Sequence, residues 1–165
     1  MSLASPKATA INGAASKIGI VAARFNEALV DGLLARVLVT LRAAGVKERN
    51  LTVVRVPGSH EVPWAASQLA ARPFGKLRAG GGRDCVIALG VLIGGDTNHH
   101  EMVGQSVSHA LQQIALATGV PVINGVITTE TPAQARARCV GKINRGAEFA
   151  QAALAMAALK GKLRR

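Results

Sequence analysis

The sequence predicts a doubly wound α/β domain, a parallel sheet covered by helices on both faces. Four short apolar runs rich in Val and Ile recur along the chain, as expected of strands buried on both sides. Segments with helical patterning lie between them and after the last. The length of 165 residues is that of one domain, and a 49% hydrophobic content suffices for a core.

Taken in order, residues 17–23 (KIGIVAA) predict the first strand. Leu29, Val30, Leu33, Leu34, Val37, Leu38 and Leu41 then recur at helical spacing, and Gly45 supplies a stop. Residues 51–56 (LTVVRV) predict the second strand, closed by Pro57 and Gly58. An Ala-rich stretch over 61–71 predicts a helix. Residues 72–83, with four Gly and one Pro, predict an exposed Gly/Arg-rich loop. Residues 84–92 (DCVIALGVL) predict the third strand, 93–98 a turn, and 101–118 a long helix facing the core with Val103, Val107, Leu111 and Ile114. Residues 120–127 predict the fourth strand, and 128–131 a polar connection. Thr131 is placed as an N-cap before Pro132. Helices are expected over 133–138 and 146–159. The first sixteen residues lack the apolar centre of a signal peptide and predict a loose tail on a cytoplasmic protein. A single domain is expected over 17–159, followed by a basic tail over 160–165.

Composition excludes several classes. No apolar run approaches the ~20 residues of a membrane span. One Trp, three Phe and no Tyr argue against a protein that stacks many bases on aromatic rings. Cys85 and Cys139 are expected to be buried thiols, and Cys and His do not fall at structural-zinc spacing. The net charge of +11 is concentrated: segments 72–83, 136–145 and 160–165 carry twelve of the twenty basic residues and no acid. The first and last read as solvated surface, whereas the middle one, among turn residues beside helices, suggests a specific anion site.

In such sheets ligands bind beyond the carboxyl ends of the strands. Phe25, next to Asn26 after the first strand, either stacks on a flat ligand or folds back onto the core. Glu61, in the turn from Pro57 to Pro63, either accepts hydrogen bonds from ligand hydroxyls or balances a helix dipole. The run Gly94, Gly95, Asp96, Thr97, Asn98, His99, His100 offers backbone N–H groups to an anion at a helix start. It is not a Walker loop, for the Lys is missing. Its histidines suit acid–base work or are surface residues.

These segments, together and in order, resemble the lumazine synthase family. The resemblance rests on AARFNEALVDGLL from Ala22, VPGSHEVP from Val56, ALGVLIGGDTNHHEMV from Ala88, GVITTETPAQARAR from Gly125 and NRGAEFAQAALAM from Asn144. It implies a flavodoxin-like three-layer α/β/α sandwich with a four-stranded parallel sheet. It also implies condensation of 5-amino-6-ribitylaminouracil with 3,4-dihydroxy-2-butanone 4-phosphate to 6,7-dimethyl-8-ribityllumazine, with loss of phosphate and water. No cofactor or metal is implied. The small-molecule substrates would bind between subunits of a homo-oligomer, a pentamer or a multiple of pentamers, without specific nucleic acid or membrane.

Carried over by position, Phe25 would stack on the pyrimidine and Asn26 would bond the ribityl chain. Ser59 and His60 would offer main-chain groups to the pyrimidine, Glu61 would hold ribityl hydroxyls, and Leu92 and Ile93 would bind the ring through their backbones. Gly95, Asp96 and Thr97 would cradle the phosphate, and His99 would transfer protons. From the neighbouring subunit, Asn124 would line the pyrimidine end and Arg138 would clamp the phosphate. Arg145 stands where the family usually has Lys, and His100 where it usually has an aromatic. The alternatives are a non-catalytic flavin or nucleotide module on the same fold, or a shell-forming scaffold.

Overall fold

The computed structural model describes residues 11–71 and 82–163. Strands β1 (Ile18–Ala23), β2 (Leu51–Val56), β3 (Cys85–Ile93) and β4 (Val122–Thr129) form one sheet in the order β2-β1-β3-β4, and every pairing is parallel. The helices are α1 (Glu27–Ala43), α2 (Val62–Ala70), α3 (His99–Thr118), α4 (Pro132–Cys139) and α5 (Arg145–Leu163), with short 3-10 turns at Glu48–Asn50 and Ser59–Glu61.

Strand parity divides the core in two. Ile18, Ile20 and Ala22 of β1 and Cys85, Ile87, Leu89 and Val91 of β3 face α1, α4 and α5. Val21, Ala23, Val86 and Ala88 face α2 and α3. Side chains on a strand alternate between faces, so the uninterrupted apolar runs of β1 and β3 feed both cores at once. The predicted sandwich is therefore the observed one.

Several boundaries differ from the sequence reading. β4 begins and ends two residues later than expected, because its ladder with β3 runs from Val86 opposite Val122 to Ile93 opposite Thr129. Backbone pairing there overrides the polarity of Thr128 and Thr129. α3 starts at His99 rather than 101. Thr131 caps α4 as predicted, its hydroxyl accepting from the Gln134 N–H at 3.2 Å.

The tails are shorter than expected. Of the predicted loose segment 1–16, residues 1–10 lie outside the described residues, but 11–16 are tied down. Gly13 N–H donates to Ala44 O at 2.7 Å, and Ile11 packs on the α1 side of the core. α5 continues four residues past its predicted end. Lys160 and Lys162 lie in its last turn, where cations favour the helix dipole, and Lys160 Nζ donates to Arg83 O at 2.7 Å. Of the predicted exposed loop, 72–81 lies outside the described residues. Arg83 is half-buried, its guanidinium donating to Thr52 Oγ1.

Two expected outcomes follow from the packing. A Cβ on Gly146 would lie 2.7 Å from the backbone oxygen of Leu33, whereas one on Gly161 meets nothing within 4 Å among the described residues. Gly146→Ala should lower stability by about 1–3 kcal/mol and Gly161→Ala raise it by about 0.5–1 kcal/mol in denaturant titrations. Equal effects would contradict the close approach of α5 to α1.

Burial pushes the Cys85 thiol up from 9.0 to about 12, and that of Cys139 to about 11. The unfolded chain thus loses these protons first as pH rises. The thiols' stabilising contribution is complete below about pH 9 and is lost progressively toward the folded values. Cys85→Ala should flatten the fall of unfolding free energy between pH 9 and 10.5; an unchanged slope would show that Cys85 is not shielded from water.

Candidate active site

Because all four strands run the same way, their carboxyl ends open on one edge. At that edge the connection after β1 is pinned to the one after β2. Arg24 N–H donates to Val56 O at 2.8 Å and Phe25 N–H to Pro57 O at 3.0 Å. Asn26 then adopts the left-handed conformation (φ 57°, ψ 43°), which Asn tolerates better than most residues. Its backbone oxygen accepts from Leu29 and Val30 at the start of α1. Its side-chain amide donates to Val91 O at 2.9 Å, lashing the turn to β3. One donor of the expected ribityl contact is thereby engaged within the chain.

This turn leaves Phe25 outside. Phe25 is 73% exposed, so the reading in which it folds back onto the core fails. β3 outruns its neighbour here: pairing with β1 reaches only Leu89 opposite Ala22, while pairing with β4 continues to Ile93. Strand alternation turns the Ile93 backbone the same way as Val91, toward the space beyond β1. The Leu92 carbonyl faces the other way and lies 3.5 Å from Thr129 Oγ1. Of the two backbones expected to bind a ring, Ile93 is thus the freer.

In the turn after β2, Ser59 is buried, its Oγ so close to β3 that a Cβ on Gly90 would lie 2.5 Å from it. His60 and Glu61 are exposed. Glu61 Oε2 accepts the Gly58 N–H at 2.8 Å, and Oε1 lies 3.9 Å from His60 Nδ1. The carboxylate therefore stabilises its own turn while keeping one oxygen toward solvent.

The turn after β3 is open. Gly95, Asp96, Thr97, Asn98 and His99 are all exposed, and a Cβ on Gly95 meets nothing within 4 Å among the described residues. Asn98 caps α3 without a side-chain hydrogen bond, and the first helical bond runs from Met102 N–H to Asn98 O. The earlier N–H groups of α3 thus point at the turn with the positive end of the dipole behind them, an arrangement suited to a phosphate. His99 stands in this first turn, exposed, while His100 is buried.

Three expected residues stand apart. Asn124 pairs with Ala88, five positions before the end of β4, about 16 Å from the mouth. It is exposed and borders a cavity with Ser108, Gln112 and Met156. Arg138 donates to Gln134 O of its own helix at 3.0 Å, and among the described residues no hydrogen bond or ion pair joins it to the 94–99 turn. α4 packs with α1 and α5, whereas α3 packs with α2, so Arg138 and His99 sit on helices covering opposite faces of the sheet. Arg145 pairs with Glu148, so its charge is partly committed within the chain. Sequence reasoning does not single out Glu130, whose carboxylate reaches the Gly94 turn; no spacing signals it, because pairing of β3 with β4 brings it there.

No described helix is long and apolar enough to cross a membrane. The model of the 6,7-dimethyl-8-ribityllumazine synthase family matches residues 15–161. Among similar proteins are the 6,7-dimethyl-8-ribityllumazine synthases of Pyricularia oryzae, Thermococcus kodakarensis and Halorhodospira halophila. Each is 42% identical to this chain, the matches covering 88%, 92% and 90% of it and 88%, 91% and 90% of the relative. With the match spanning nearly all of the described sheet and helices, the chain belongs to the 6,7-dimethyl-8-ribityllumazine synthase family.

Proposed function

We propose that this chain condenses 5-amino-6-ribitylaminouracil with 3,4-dihydroxy-2-butanone 4-phosphate, releasing 6,7-dimethyl-8-ribityllumazine, phosphate and water. The observation that carries the reading, beside family membership, is the exposed ring of Phe25 on a turn lashed to β3. A planar pyrimidine stacks there, with Ile93 and the main chain of Ser59 and His60 along its edge. Asn26 and the free oxygen of Glu61 face the ribityl hydroxyls. Gly95, Asp96, Thr97 and the start of α3 receive the phosphate.

In the reaction an amine attacks a ketone and water leaves to give an imine. Phosphate departs, the resulting enol tautomerises to a ketone, and the ribityl-bearing amine attacks that ketone with loss of a second water to close the ring. Fixing two reactants side by side removes much of the barrier. His99 moves protons between nitrogen, carbon and oxygen. No organic cofactor or metal takes part.

Arg138 clamps the phosphate from a neighbouring subunit, with Arg145 adding positive charge, and Asn124 of that neighbour lines the pyrimidine end. The placement of α4 across the sheet from α3 supports division between chains. So do large apolar side chains turned to solvent, Trp64 at 70% and Leu116 at 79% exposure, which a neighbour would cover. The assembly is a homo-oligomer, a pentamer or a multiple of pentamers, working in the cytoplasm. Its domain comprises residues 17–159 with the segments that flank them.

Incubation with both substrates should produce lumazine absorbance and fluorescence that depend on each. Ligand binding without product would favour the non-catalytic module. His99→Ala should lower kcat by ~10²-fold, the small end of acid–base effects because the bound substrates are intrinsically reactive. Arg138→Gln should raise KM for the butanone phosphate by an amount worth about 1.5–3 kcal/mol and leave KM for the pyrimidine nearly unchanged. Equal weakening toward both substrates would point to a damaged interface instead.

A further inference from the structure

His100 occupies a core-facing position of α3 yet carries a polar ring. It is 7% exposed, and among the described residues neither Nδ1 nor Nε2 has a hydrogen-bond partner. A buried polar group in that condition is costly, so what it faces is informative. Nε2 lies 3.5 Å from Glu130 Oε2, within ion-pair reach but without the geometry of a hydrogen bond. Glu101 adds a second carboxylate, and the ligand atoms of the three side chains all lie within 4.8 Å of one another.

The backbone carrying this cluster is held firmly. Gly94 N–H donates to Thr129 O at 2.8 Å. A Cβ on Gly94 would lie 2.9 Å from Glu130 O and 3.2 Å from Oε2, so the absence of a side chain there leaves room for the Glu130 carboxylate beside α3.

We propose that His100, Glu101 and Glu130 form a binding site for a divalent transition-metal ion of the zinc class. Metal–ligand bonds of about 2.1 Å at tetrahedral angles place neighbouring ligand atoms about 3.4 Å apart. The gap between His100 and Glu130 already has that length. The Glu101 carboxylate, on an exposed side chain, closes the remainder. One imidazole nitrogen with two carboxylates suits Zn²⁺, Co²⁺ or Ni²⁺ better than Mg²⁺, which prefers oxygen ligands and retained water. A fourth position stays open to solvent. The site stands whether or not the adjoining turn binds phosphate.

The test uses the full chain stripped with chelator and titrated with Zn²⁺ by calorimetry, and with Co²⁺ by visible absorption. One ion per chain should bind, with Co²⁺ bands that Zn²⁺ displaces and excess Mg²⁺ does not. His100→Phe, which keeps the interior filled, and Glu130→Gln, at an exposed position, should each weaken binding at least ~10-fold. His99→Ala and His109→Ala should leave it unchanged. Failure of the unaltered chain to bind, or binding that survives Glu130→Gln, would overturn the site whether or not His100→Phe folds. Loss of binding in His99→Ala with retention in Glu130→Gln would also overturn it, by placing the ion on the exposed histidine.

Discussion

The parallel ladder of β3, with β1 on one side and β4 on the other, governs where everything else sits. Parallel pairing sends every connection after a strand to the same edge. The unequal reach of the two ladders gives that edge its shape. β1 stops opposite Leu89, β4 continues to Ile93, and the notch between them is occupied by the Asn26 amide on Val91 O. Phe25 is exposed because Asn26 is fixed there. Glu130 reaches Gly94 because Thr129 pairs opposite Ile93.

The alternation of strands and helices was legible because buried parallel strands are apolar on both faces, and β2 was placed at both ends. Boundaries failed where a non-local partner decides them. Thr128 and Thr129 look like loop residues until β3 pairs with them, and Lys160 looks like a solvated tail until Arg83 offers its carbonyl. Residue type alone left Phe25 open between core and ligand; the backbone of Asn26 decides it. Cation-site spacing was invisible, for His100 and Glu130 lie thirty residues apart and meet only through the sheet. The division between Arg138 and His99 was likewise beyond composition, since it depends on which face each helix covers.

The two-core layout bears on the proposed chemistry. An active site confined to one chain would need residues from one mouth. Here the turn proposed to receive a phosphate belongs to the α3 side, while the proposed clamp rides on α4 with the α1 and α5 core. A head-to-tail ring joins unlike faces, so the mouth of one subunit can meet α4 of the next. In the proposed ring, catalysis and assembly would be coupled, and stability of the ring would be a condition for turnover.

The most direct test is complementation between impaired chains, assayed below the KM of the butanone phosphate. His99→Ala and Arg138→Gln proteins are unfolded together and refolded into mixed rings. In a random equal mixture a contact is intact only when its His side comes from the Arg138→Gln parent and its Arg side from the His99→Ala parent. About a quarter of contacts should therefore regain full activity. Activity no higher than the mean of the two parents, with mixed rings confirmed by mass spectrometry, would place both residues in one subunit's site and contradict the shared site.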